Sequence, residues 1–170
     1  MTIIDETWVD TKVKQPDGSF RYEKRYMWVI VNLATKVCYY LFGRRKREVI
    51  EKFLGDFQGT LMTDAYNAYA WKELIAYIDI GNVLIDNRST YGRLQGKNCC
   101  ERAVRPFTNL RKSFGGFSSE LGGEVAAAWL TFVESCKLQK KAALEVFNGY
   151  FQRIAEGRRD YDLITEEVLC

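Results

Sequence analysis

Two short connections fix the topology of the first third of the chain. Gln15-Pro16-Asp17-Gly18 is a strong turn signal, and Ala34-Thr35-Lys36 is a second connection of only a few residues. On either side lie stretches rich in strand formers: Thr2 to about Val13, Tyr26 to Val31 and Val37 to Phe42. Strands joined this tightly run antiparallel, because a parallel return needs a crossover of a dozen residues or more. The three are therefore predicted to form a meander. Tyr26 to Val31 is almost unbroken in apolar character, as expected of a central strand covered on both faces.

After Gly43 the period changes. Val49, Ile50, Phe53, Leu54 and Phe57 recur at helical spacing, with Glu48, Glu51, Lys52 and Asp56 on the other face. This helix leads into Gly59 to Tyr69, where Leu61-Met62 reads as a short buried strand that stops on Asp64. A strand, helix and strand in that order make a right-handed parallel crossover. The fourth strand then lies parallel beside the first and brings Asp5 and Asp64 onto adjacent strands. The expected fold class is α/β, with a mixed sheet of three antiparallel strands, a crossover helix and a parallel strand.

The remainder is read more coarsely. Tyr66 to Tyr77 is predicted helical, Val83-Leu84-Ile85 is an option for a short fifth strand, and Arg88 to Lys97 reads as a loop. Asn98 is placed to cap a helix through Glu101, Ala103 and Val104, which Pro106 kinks or restarts. Gly115-Gly116 ends that element and Gly122-Gly123 precedes the next. Val125, Ala128, Trp129, Phe132, Val133 and Cys136 form one apolar stripe; Leu144, Phe147, Tyr150, Phe151 and Ile154 form another. These two helices are expected to make a hairpin over the core. Residues 1–156 are read as one domain, and 157–170 as a polar, loose tail.

With 170 residues there is room for one ordinary domain. The absence of histidine removes His general bases, His metal ligands and Ser-His triads together, so chemistry falls to carboxylates, thiols or hydroxyls. Cys38, Cys99, Cys100, Cys136 and Cys170 are odd in number and form no CxxC pair, which suggests neither a zinc site nor a disulfide framework. They are read as reduced thiols. No apolar stretch is long enough to span a bilayer, and Asp5 and Glu6 interrupt any signal-like start, so a soluble, intracellular protein is expected.

Asp5, Asp64 and Glu101 are the strongest candidates for chemistry. Asp5 shares a strand face with Ile3, Thr7 and Val9, where a carboxylate is costly unless something pairs with it. Asp64 falls at the carboxyl end of a strand, where α/β sheets hold ligands, although an aspartate there also serves as a helix cap. Two aspartates from strands and a glutamate from a helix make an oxygen-only, anionic set. Such a set suits Mg²⁺, and two such ions about 4 Å apart can drive phosphoryl transfer. The plain alternative is that these acids sit on solvated surfaces.

A net charge of only +3 does not announce a nucleic-acid binder, but several of the basic residues are clustered. Arg102 and Arg105 share a helix face beside Glu101, with Arg111-Lys112 following, and could hold a phosphodiester backbone in register. Arg44-Arg45-Lys46-Arg47 opens the crossover helix, where positive charge opposes the helix dipole and so is not placed for helix stability. Phosphate contact fits both clusters; a solvated basic face fits them too.

Ile4-Asp5-Glu6-Thr7, Arg47 through Leu54-Gly55-Asp56-Phe57-Gln58-Gly59, and Thr63-Asp64-Ala65-Tyr66 resemble the catalytic half of the insertion-sequence-66 family of bacterial transposases. Asp86-Asn87 and Asn98 through Phe107, with Arg111-Lys112, resemble that family's Asn-rich Glu-Arg motif, and Glu134 through Tyr150-Phe151 is similar to its helical tail. The resemblance implies a ribonuclease-H-like fold and a DDE active site on Asp5, Asp64 and Glu101. It implies Mg²⁺-dependent DNA cleavage and strand transfer, with Mn²⁺ as a substitute ion. It also implies DNA as partner (transposon ends and target), a homodimer or accessory transposition proteins, and a cytoplasmic, nucleoid-associated location. The chain resembles a shortened form. Much of the segment expected between Asp64 and Glu101 is absent, Arg88 to Lys97 intervenes before the Glu-Arg motif, and in strict register Tyr91 would take the glutamate position. An inactive remnant that retains only DNA or protein binding is the alternative.

Overall fold

In the computed structural model, residues 2–55, 57, 61–63, 77–79 and 95–169 are described, with 77–79 and 95–101 described in their backbone alone. The first hairpin is longer than its apolar content suggests. Strand β1 (Thr2–Lys14) pairs with β2 (Phe20–Asn32) without interruption, from Thr2 opposite Asn32 to Lys14 opposite Phe20. Gly18 closes the turn with φ of 83°, in the left-handed region glycine tolerates, and Asp17 accepts the backbone N–H and hydroxyl of Ser19. β2 therefore begins six residues before Tyr26, the expected start. Phe20 to Lys24 is largely exposed, and its aromatic and polar residues alternate instead of forming an apolar run.

β3 (Val37–Gly43) completes the meander. Helix α1 (Arg47–Leu54) follows, then β4 (Leu61–Thr63), parallel to β1 with Thr2 opposite Leu61 and Ile3 opposite Met62. β5 (Tyr77–Asp79) is parallel to β4, giving the order β3-β2-β1-β4-β5. The mixed α/β sheet and the crossover are as expected. Tyr77, expected at the end of a helix, is instead the first residue of β5; Tyr66 to Ala76, Val83 to Ile85 and Asp86-Asn87 lie outside the described residues.

Helix α2 (Gln95–Phe114) corrects two expectations. It begins within the stretch read as a loop, and Asn98 lies inside it instead of capping it. Pro106 sits in the helix without ending it, where its missing N–H forgoes one intrahelical bond. Gly115, with φ of 74°, stops the helix, and Gly116-Phe117 form β6, a two-residue strand parallel to β1 at Asp10 and Thr11. Helix α3 (Glu120–Gln139) is capped by Ser119, whose hydroxyl accepts the Gly122 N–H at 3.1 Å. Gly122-Gly123 thus lies within α3 instead of preceding it. A Cβ on Gly123 would stand 2.4 Å from the Phe42 ring, so the glycine is there for close approach of helix to sheet.

Two apolar layers flank the sheet. On one face Ile4, Trp28 and Ile30 pack under Ile50 and Leu54 of α1. On the other, Val9, Met27, Val29, Val31, Cys38 and Tyr40 pack under Ala103 and Phe107 of α2 and Ala127 and Leu130 of α3. The predicted stripe on α3 does not face this core. Trp129 and Phe132 pack instead on Phe147 and Tyr150 of α4 (Ala143–Ala155), with Phe151 beside those two rings, so the expected hairpin forms on the outer side of α3. The expected loose tail is helix α5 (Tyr161–Leu169), anchored by buried Ile164 and Leu169 and by Arg158 paired with Asp160 and Glu167. Its few apolar residues are spaced to bury one side, a pattern the polar composition conceals. No helix among the described residues is long and apolar enough to cross a membrane.

Candidate functional site

Asp5 stands opposite Val29 on β2, and Val29 stands opposite Tyr40 on β3. Opposed residues of antiparallel strands project to the same face, so Asp5, Val29 and Tyr40 form one row on the side covered by α2. The Tyr40 hydroxyl donates a hydrogen bond to the backbone carbonyl of Ala103 on α2. That bond fixes the turn of α2 carrying Ala103, two residues after Glu101, above the row that ends on Asp5. Asp5 is half-buried, and its Oδ1 accepts the Glu6 N–H at 2.8 Å.

β4 approaches the same region from the sheet. It lies directly beside β1, its three residues are buried, and Thr63, its last residue, immediately precedes Asp64. Two of the predicted carboxylates are thus carried by elements that meet: Asp5 by β1 and Glu101 by α2, which packs on the sheet through Ala103 and Phe107. Asp64 lies outside the described residues, and Glu101 is described by its backbone. Among the described residues no group of three acidic, Cys or His side chains could hold a metal ion. The donor chemistry of the predicted set, carboxylate oxygens without imidazole, fits a hard divalent cation.

The predicted basic residues divide into partnered and exposed ones. Arg45 pairs with Glu6, with Nε at 2.8 Å from its carboxylate, and lies over the Tyr26 ring. Arg47 pairs with Glu51 one turn on, at 3.1 Å, and the Arg44 carbonyl accepts the Trp28 indole N–H at 3.3 Å. Lys46 is exposed at the start of α1, as are Arg44, Arg102, Arg105 and Lys112. Arg111 acts as a strut: its guanidinium reaches the Thr7 hydroxyl at 3.2 Å and the Trp8 carbonyl, and stacks over the Trp8 ring at 4.8 Å.

The thiols that sequence left open as nucleophiles are excluded at two positions. Cys38 and Cys136 are buried and free, and burial pushes the Cys38 thiol up to about 12, helped by the nearby negative charge of Glu134. Such a thiol stays protonated at neutral pH and is a poor nucleophile. Tyr40 was missed by sequence reasoning. In an apolar strand a tyrosine signals only packing, and nothing local shows that its hydroxyl reaches a helix 63 residues away.

A sequence model of the Transposase IS66 family matches residues 1–73. The match covers β1 to β4, with Asp5, the Arg44 to Arg47 cluster and Asp64 inside it, and Glu101, Arg102, Arg105, Arg111 and Lys112 beyond it. No curated protein and no solved structure matches the chain.

Proposed function

We infer that this chain, identified as an IS66-family transposase by the match over residues 1–73, is the catalytic domain of a DDE enzyme that cuts and joins DNA on a ribonuclease-H-like sheet. The observation that carries this reading is the row Asp5–Val29–Tyr40 with α2 tied above it through Ala103. That arrangement sets the helix of Glu101 over the face to which Asp5 points. The strand order β3-β2-β1-β4-β5, with β4 ending one residue before Asp64, supports the same assignment.

Asp5, Asp64 and Glu101 would hold two Mg²⁺ ions, which when bound activate the attacking oxygen and stabilise the leaving one. The chain's own contribution is positional. The sheet register sets the depth of Asp5, and the Tyr40 bond sets the height of α2. Arg102, Arg105 and Lys112, exposed on α2, and Arg44 and Lys46, exposed before and at the start of α1, are available to phosphates. Such contacts orient the backbone of DNA without reading its sequence.

A supercoiled plasmid assay with Mg²⁺ or Mn²⁺ tests the activity, using Asp5→Asn and Glu101→Gln as controls. Nicking by the wild type that both variants lose, with their folding intact, is the expected result. A fall of several kcal/mol in metal-free stability for Asp5→Asn would instead make that carboxylate structural. The second reading, an inactive remnant that binds DNA or protein, is favoured by one fact: the family match stops at residue 73, before the helix of Glu101. DNA binding without nicking by the wild type would select it.

A further inference from the structure

Among the described residues, one sheet face is covered by α1 at one end. α1 packs over Ile4, Trp28 and Ile30, but the same face of the β1–β2 ribbon continues outward beyond it. There the register opposes Trp8 to Tyr26, Asp10 to Lys24, Lys12 to Tyr22, and Lys14 to Phe20. Val9, Thr11, Val13 and Arg25 bury the reverse face of these strands. The pleat therefore forces the aromatic and lysine positions to solvent. Tyr22 is 70% exposed, Phe20 56% and Trp8 43%.

Cations are interleaved with these rings. The Lys12 ammonium lies 4.9 Å from the centre of Phe20, and that of Lys24 lies 4.9 Å from the centre of Trp8. Arg111 reaches the ribbon from α2. It bonds Thr7, on the Asp5 face, and stacks over Trp8, so it bridges the acidic side of the sheet and the ribbon. Among the strand positions that share this face from Trp8 to Lys14 and from Phe20 to Lys24, the charged ones are Lys12, Lys14, Lys24 and Asp10.

We propose that this ribbon face binds single-stranded DNA, with bases stacking on Tyr22 and Phe20 and phosphates held by Lys12, Lys14, Lys24 and Arg111, the last two gathered over Trp8. The proposal rests on the transposase reading and names where an unpaired strand lies beside the acidic site. Aromatic rings on an open sheet stack on bare base faces, which a duplex conceals. Same-face positions recur about every 7 Å along a strand, a spacing within reach of successive nucleotides in an unstacked chain. The positive balance favours a polyanion over an apolar protein surface.

The test is fluorescence anisotropy of the full chain with a labelled oligothymidine of about a dozen nucleotides, and with a duplex of equal length. Wild type is expected to prefer the single strand. Phe20→Ala with Tyr22→Ala should weaken that binding roughly tenfold or more, while Phe20→Tyr with Tyr22→Phe should retain it. Replacing Lys12, Lys14 and Lys24 by Gln should reduce the slope of log affinity against log salt by about 2. Thermal melts matching wild type keep the variants comparable. Unchanged affinity in the alanine variant, a preference for duplex, or a change of oligomeric state with DNA affinity intact overturns the ribbon site. In those cases plasmid nicking still upholds the transposase reading; failure of wild type to bind either DNA takes down both.

Discussion

The phenol of Tyr40, on the edge strand β3, donates its hydrogen bond to the carbonyl of Ala103 on α2. With the Arg111 strut to Thr7 and Trp8, it ties the sheet that carries Asp5 to the helix that carries Glu101. Removing it with Tyr40→Phe should cost about 1 kcal/mol, the usual net value of a hydrogen bond, and should also weaken Mg²⁺ affinity by loosening α2. Urea denaturation and a metal titration check the two effects. Stability lost with metal affinity unchanged would reduce Tyr40 to a packing role.

The same edge strand is closed by hydroxyls instead of another strand. Thr131 accepts the N–H of Tyr40 at 2.9 Å, while Ser135 accepts the N–H of Cys38 at 2.9 Å and donates to its carbonyl at 3.2 Å. Residues four apart on α3 thus meet residues two apart on β3, blunting an edge open to aggregation. Ser135→Ala should cost about 1–3 kcal/mol by stranding buried backbone groups, and a midpoint shift in urea measures it. Ser135→Thr should recover part of the loss if the hydroxyl is what matters.

At Gly123 the helix presses against the Phe42 ring, with 2.4 Å to an added Cβ. Gly123→Ala should destabilise by about 1–3 kcal/mol through overpacking, despite alanine's better helix propensity. Pairing it with Phe42→Leu should restore stability in a double-mutant cycle. A stabilised single variant would mean that α3 can shift away at no cost.

Cys38 predicts an alkaline limit. Its thiol is pushed up to about 12 in the folded chain, from an ordinary 9.0. The unfolded chain therefore releases this proton first. The contribution of Cys38 is fully present below about pH 9 and declines as pH rises towards 12. Urea midpoints across that range should fall more steeply for wild type than for Cys38→Ala. Parallel curves would show that another group sets the limit.

Sequence alone displayed the meander, the crossover and the adjacency of the strands leading to Asp5 and Asp64, because turn length and hydrophobic period are local properties. It misread the start of α2, the glycines of α3 and the helix after Gly157. The last two depend on distant partners: Phe42 admits Gly123, and Ile164 needs a surface to bury against. Asn98 and Gly122-Gly123 looked like boundaries because their local preferences point that way, and at Gly123 the close approach of Phe42 shows what overrode them. The ribbon face escaped for another reason. Trp8, Phe20 and Tyr22 look like core residues until the register turns them to solvent.

The central claim is that Asp5, Asp64 and Glu101 make one metal site. Calorimetric titration of Mg²⁺ into the full chain, set against Asp5→Asn, Asp64→Asn and Glu101→Gln, tests it most directly. Saturable binding by the wild type that disappears in each variant is the predicted result. Equally weak uptake by all four proteins would contradict the account.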